Sequence, residues 1–264
     1  MQDALVTFDT GAATHVGKLR RHNEDSFLAR PEAGLWAVAD GMGGHDAGDL
    51  ASAAVVDALR SIERPRSASE LLALCEQRVA SANANLRQIG RERGSIIGTT
   101  VAMLLIYERD YACVWSGDSR IYRVRGGEIG QLTCDHSAVE ELVADGTLSR
   151  DEASTWPGRN VITRAIGIED HPELDIETGL IEPGDIFVIC SDGLTGHVRD
   201  GEILSCVRGG DAQRACDALV ALTLERGAVD NVTVIVVQCR PDGAAATKGS
   251  TIFRPEGAGR DLWG

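Results

Sequence analysis

The chain has 264 residues, 43% of them hydrophobic, enough to bury a sizeable core as one domain. Its 40 acidic residues against 26 basic ones give a formal net charge of -14, so nucleic acid and anionic lipid would be repelled by the molecule as a whole. Seven widely spaced cysteines without a C-x-x-C pair exclude a sequence-readable zinc or dithiol site and read as reduced small hydrophobes. The first ten residues lack a basic stretch followed by an apolar one, and no apolar run approaches a membrane span. A soluble, cytoplasmic protein with no nucleic-acid or membrane partner is expected, with a monomer as the default.

In chain order, alternation predicts strands at 5–8 and 26–29, and the apolar run 35–39 predicts a buried strand feeding a glycine-rich loop over 40–48. A helix starting at Asp49 or Ser52 should run to about Ser61. After a polar linker at 63–69, Leu71, Leu74, Cys75, Val79, Ala82 and Leu86 fall at helical spacing and place a second helix over 70–91. Strands follow at 99–107, 111–116, 121–124 and 129–133, joined by turns too short for anything but antiparallel neighbours. Residues 134–172 read as a mobile insertion with a helix near 137–145. Strands resume over 174–190, helices are expected at 201–207 and 211–226, and a last strand at 232–238. Antiparallel strands alternating with helix pairs give an α+β layered sandwich rather than a doubly wound sheet. The catalytic domain is expected to span 1–240, with a Gly- and Ala-rich flexible tail over 241–264.

Four short acidic motifs lie at the edges of these runs: Asn23-Glu24-Asp25, Asp40-Gly41, Ser191-Asp192-Gly193 and Asp230-Asn231. A single Asp-Gly pair is most simply a turn. Four at the mouths of core strands are another matter, because buried uncompensated carboxylates are costly and invite a hard cation. Arg20 and Arg21, just before the first motif, add a cation where a phosphate would be held beside a metal.

Taken together, Arg20 with Asn23-Glu24-Asp25, Asp40-Gly41-Met42-Gly43-Gly44-His45, Gly98-Thr99-Thr100, Gly117-Asp118-Ser119-Arg120, Ser191-Asp192-Gly193-Leu194 and Asp230-Asn231 with Thr233 resemble, in this order, the metal-dependent serine/threonine protein phosphatases of the type 2C family. The resemblance covers roughly residues 10–239. It implies a four-layer α-β-β-α sandwich of two antiparallel sheets flanked by helix pairs. It also implies a site with two Mn2+ or Mg2+ ions in which Asp40 bridges both, the Gly41 carbonyl ligates one, and Asp192 and Asp230 complete the other. Glu24 and Asp25 would act through water, and Arg20 would hold the substrate phosphoryl group, making Arg20, Asp40 and Asp192 the catalytic residues. Asp118 resembles the aspartate that recruits a third, weaker ion, against the plainer reading of a turn residue. Carboxylates suit Mg2+ and Mn2+, whereas His or Cys ligands would favour zinc.

Met42 is a departure, since eukaryotic relatives carry there a histidine thought to protonate the leaving alcohol. His45, three residues on, is a candidate acid, and an ordinary surface position is an equal reading. Asn160 is a candidate neighbour of the third ion, while Thr99, Thr100 and Arg164 read as structural. The partners implied are phosphorylated proteins and a Ser/Thr kinase whose signalling the chain would reverse, as in single-domain bacterial phosphatases including those linked to type VI secretion. Around Thr251, the tail resembles kinase sites read by forkhead-associated domains, next to the plainer reading of an unstructured end. A pseudophosphatase that binds phosphoproteins without turnover is the alternative. Cysteine-phosphatase chemistry is excluded because six residues, not five, separate Cys113 from Arg120, and no P-loop motif is present.

Overall fold

The structure is a computed structural model that describes residues 6–43, 47–153, 156–158, 161–241, 251–252 and 263. One sheet contains β1 (Val6–His15), β7 (Arg120–Arg125), β8 (Glu128–Gln131), β10 (Ile186–Cys190), β11 (Val232–Pro241) and the two-residue β12 (Thr251–Ile252), in the order β12-β1-β11-β10-β7-β8. The other has the order β2-β3-β5-β6-β9, formed by β2 (Asp25–Arg30), β3 (Leu35–Gly43), β5 (Val101–Tyr107), β6 (Asp110–Ser116) and β9 (Asp175–Leu180), with β4 (Ile97–Thr99) added to β3. All pairings between these strands are antiparallel.

The apolar runs are continuous because their strands are covered on both faces. In β3 and β5, Leu35, Ala37, Met103 and Leu105 face a helix layer, while Trp36, Val38, Leu104 and Ile106 face the opposite sheet. β10 and β11 divide in the same way. Phe187, Ile189, Ile235 and Val237 fill the space between the sheets, and Val188, Cys190, Val234 and Val236 meet the second helix layer. The first helix layer is α1 (Gly48–Arg60) and α2 (Ala68–Arg93), contributing Val55, Leu59, Leu71 and Leu86. The second contains α6 (Asp200–Val207) and α7 (Ala212–Glu225), contributing Ile203, Leu219 and Val220. The expected α-β-β-α order is therefore the observed one.

Local differences have tertiary causes. β3 continues through the stretch expected to be a loop, because Gly41, Met42 and Gly43 pair with Thr99, Gly98 and Ile97. The single strand expected over 99–107 is broken at Thr100 into β4 and β5. The insertion holds α3 (Ala138–Ala144) and the unforeseen α4 (Arg150–Ala153), and a short α5 (Asp192–Thr195) follows β10 directly. The insertion's backbone is bridged to the sandwich between Ile166 and Thr99 and to itself between Ile162 and Ser137. Among the described residues, the tail, expected to be flexible, contacts the domain at two places. Thr251 and Ile252 pair with Phe8 and Thr7, and partly buried Trp263 packs against the core. Among the described residues no helix is long and apolar enough to cross a membrane.

Asp185, before β10, fixes the end of the sandwich remote from Asp192. Its buried carboxylate takes Arg125 through two hydrogen bonds of 2.8 and 2.6 Å and caps the Glu182 N–H at 2.8 Å. Asp185→Ala should lower unfolding free energy by about 2 kcal/mol, the scale of lost charge-assisted hydrogen bonds. Urea denaturation checks this, and an unchanged midpoint would show that the pair contributes nothing net.

Candidate metal centre

Antiparallel strands bring starts and ends of different strands to one edge, and here that edge is acidic. Asp25 opens β2 and stands opposite Asp40 of β3 in the ladder. Asp118 lies in the turn between β6 and β7, Asp192 is the first residue of α5, and Asp230 lies two residues before β11. A cavity of about 320 Å³ results, lined by Arg20, Glu24, Asp40, Gly41, Asp118, Asp192 and Asp230 together with Met42, Thr100, Ile162 and Asn231. Every residue expected to hold metal lines it except Asp25, which stands behind the wall.

Hydroxyls and amides hold these carboxylates in place. The Asp40 N–H donates to Thr100 Oγ1 at 3.0 Å, and its carbonyl accepts from Thr99 Oγ1 and the Thr100 N–H, both at 2.8 Å. Thr99 and Thr100 are thus the structural residues the sequence suggested. Arg164 has the same character, pairing with Asp175 at 2.9 Å and Glu173 at 3.3 Å. The Gly41 N–H donates to the Glu24 carbonyl at 3.0 Å. A Cβ on Gly41 would collide with the Gly48 carbonyl, so only glycine lets the start of α1 close over this strand. Asp25 Oδ2 accepts from Ser191 Oγ at 2.8 Å and Thr233 Oγ1 at 2.7 Å, while its Oδ1 is buried without a partner. Asn231 joins three chain segments, donating to the Val16 and His22 carbonyls at 2.8 and 3.0 Å and accepting the Glu24 N–H at 2.8 Å. Sequence reasoning gave Ser191, Asn231 and Thr233 no role. The signal was their place next to or within three residues of Asp192 or Asp230, where a short polar side chain can hold a carboxylate or backbone group.

Burial, then hydrogen bonds from Thr233 and Ser191 that partly offset it, then repulsion from Asp192 and Asp230 leave the Asp25 carboxyl at about 7. Burial and the nearby charges of Asp192 and Asp135 likewise raise Asp118 to about 7. Asp40 is pushed well above the usual range by burial and the surrounding aspartates, and Asp192 is raised by burial and Asp230. Asp192 is within hydrogen-bond reach of the Asp40 carboxyl and has a buried, unpartnered Oδ1. Crowded buried carboxyls next to orphaned carboxylate oxygens are a donor set a hard cation fits. As the side chains stand, no three His, Cys, Asp or Glu among the described residues are arranged to hold an ion. The Arg20 guanidinium holds Asp230 Oδ2 at 2.7 Å. The same contact raises the Arg20 pKa against the opposing effect of burial. His45 and Asn160 lie outside the described residues.

The family model of protein phosphatase 2C matches residues 15–222. The chain belongs to this family. It is 37% identical over 223 residues to the serine/threonine protein phosphatase PstP of Mycobacterium tuberculosis, covering 83% of this chain and 43% of PstP. The chain thus spans less than half the length of that relative. It is 35% identical over 245 residues to the protein phosphatase PhpP of Streptococcus pneumoniae, covering 88% of this chain and 97% of PhpP. Among solved structures, PppA, described as a key regulatory component of the type VI secretion system in Pseudomonas aeruginosa, superposes with a TM-score of 0.84 at 38% identity, over 89% of this chain and 99% of that one. The catalytic domain of PstP in complex with two manganese ions superposes with a TM-score of 0.79 at 34% identity, over 89% and 99%.

The raised carboxyls set a pH dependence for the metal-free protein. Between the ordinary 3.8 and about 7, Asp25 and Asp118 bind more protons folded than unfolded, so stability falls as pH rises through that window. With chelator present, Tm should drop on the order of 5 °C between pH 5 and 8, and Mn2+ at pH 8 should restore it. A Tm that is flat or rises with pH under chelator would contradict the crowded-carboxylate picture.

Proposed function

We propose that this phosphatase 2C chain hydrolyses phosphoserine and phosphothreonine in proteins with the help of two Mn2+ or Mg2+ ions, reversing the action of a Ser/Thr kinase. The observation that carries this reading is the convergence of five acidic side chains, Glu24, Asp40, Asp118, Asp192 and Asp230, with one arginine on a single cavity. The PstP catalytic domain with its two manganese ions supports the choice of metal.

Asp40, the Gly41 carbonyl, Asp192 and Asp230 would hold the two ions, with Glu24 and Asp25 acting through water and Asp118 joining Asp192 around a third, weaker one. When bound, such ions neutralise a phosphomonoester dianion and lower the pKa of a water placed for in-line attack. Arg20 supplies the planar fork that matches phosphoryl oxygens, and its present contact with Asp230 keeps that fork at the cavity mouth. Ser191 and Thr233 fix the Asp25 carboxylate, and Thr99 and Thr100 fix the backbone of Asp40, so that the acidic groups keep their places as charge changes in the cavity. Met42 offers no proton to the departing alcohol, which leaves that step to water or to His45.

Phosphate release from a phosphothreonine peptide tests the reading. Turnover should appear with Mn2+, disappear with chelator, and fall about 1,000-fold in Asp192→Ala, the loss expected when several kcal/mol of charge stabilisation goes. Arg20→Lys, which keeps the charge but not the fork, should lower kcat/KM about tenfold. A folded, metal-loaded protein with no turnover would instead make it a phosphoprotein-binding pseudophosphatase.

A further inference from the structure

His136, between β8 and α3, is buried with its ring stacked on Trp115, centroids 6.0 Å apart and planes at 18°. Each of its polar atoms is engaged. The backbone N–H donates to the Gly117 carbonyl at 3.0 Å, and the carbonyl accepts from the Thr163 N–H at 2.8 Å. Nδ1 accepts from the Gly117 N–H at 3.1 Å, which places the ring proton on Nε2, facing Asp175 Oδ2 at 3.1 Å. The other oxygen of Asp175 takes Arg164 at 2.9 Å. A satisfied core histidine would be the plain reading of such a list. What sets this one apart is where the contacts converge: both backbone polar groups of Gly117, the residue before Asp118.

That turn is closely packed. Gly117 has φ +110, a conformation side-chain-bearing residues rarely adopt, and a Cβ there would lie 2.6 Å from the Thr100 side chain. Asp118 sits beside the like charges of Asp192 and Asp135 and the opposite charge of Arg120. One side of the turn is held by Thr100, whose Oγ1 meets Ser119 Oγ at 2.8 Å while also binding the Asp40 N–H. The other side is held by His136 alone among the hydrogen bonds described above.

We infer that His136 is a positioning residue that holds the Gly117–Asp118 turn at the cavity wall, in its Nε2–H form, so that Asp118 can take a weakly bound divalent cation. The inference rests on the metal reading proposed above. Only that tautomer accepts from Gly117 and donates to Asp175 together. The geometry separates its two ring contacts. An asparagine oxygen can stand near the place of Nδ1 and keep the Gly117 N–H, while a glutamine amide reaches the place of Nε2 and keeps Asp175.

The test is the number and affinity of bound Mn2+ ions, followed by electron paramagnetic resonance of free Mn2+, in the wild type, His136→Ala, His136→Asn and His136→Gln. The wild type should bind two ions tightly and a third weakly. The weak affinity should fall about 10-fold or more in the alanine and glutamine variants, the usual scale for losing a group that orients a metal ligand, and return close to wild type in the asparagine variant. Asp185→Ala, destabilised at the far end of the sandwich, should leave all three affinities unchanged. Should the alanine variant fail to fold, the asparagine and glutamine pair decides. Equal behaviour of that pair, loss of the weak ion in Asp185→Ala, or a wild type that binds no third ion would each overturn the inference. Turnover of the phosphothreonine peptide by the wild type, measured on the same samples, reports separately on the phosphatase reading.

Discussion

Mutual repulsion among carboxylates gathered at one edge of a β-sandwich is the constraint to which much of the site answers. At 4 Å two such charges repel by about 4 kcal/mol at the effective dielectric of a protein near its surface, and Glu24, Asp40, Asp118, Asp192 and Asp230 share one cavity. Left to themselves these side chains would turn outward. The hydroxyls of Ser191 and Thr233 on Asp25, the threonine pair around Asp40, the Asn231 clasp and the His136 grip on Gly117 all work against that tendency.

Such restraint needs a rigid base, and the layered core supplies it. Because β3, β5, β10 and β11 are covered on both faces, a shift of any one would disturb two apolar interfaces at once. Four layers also explain why the acidic groups can come from so far apart in sequence. β1 pairs along its whole length with β11, which brings Arg20, just after β1, within 2.7 Å of Asp230, just before β11.

The strands that end in acid were legible because two-sided burial leaves long apolar runs, as in 35–39, 186–190 and 232–238. The helix pairs were legible through their periodicity. What escaped the sequence depends on partners distant in the chain. Residues 40–43 are glycine-rich and read locally as a loop, yet they form strand because Ile97–Thr99 lies alongside. Asp192 read as lying just past the end of a strand, and it is the first residue of a one-turn helix. The one oxygen that Ser191 and Thr233 both satisfy belongs to Asp25, more than 160 residues earlier, so no local pattern could assign it. The acidic residues themselves were readable from motif and resemblance, whereas the polar groups that restrain them became readable only from geometry.

The charge balance of the cavity also fixes an order of events. Among the described residues that line it, Arg20 is the only cation set against five carboxylates, and it is already engaged by Asp230. A phosphomonoester dianion meeting that wall would be repelled by the remaining acids, and a net charge of -14 adds to the barrier at longer range. Under the proposed function, neutralising the acids would therefore come first. Under the same reading, a different positive partner for Asp230 would release the Arg20 fork toward the cavity, and the carboxylates would become the frame that orients an anion. On this view Arg20 serves in turn as the counter-ion of an otherwise uncompensated aspartate and as a ligand for phosphate. This would explain why a guanidinium, able to bind either group in a planar bidentate fashion, suits a position where the compact charge of lysine would not.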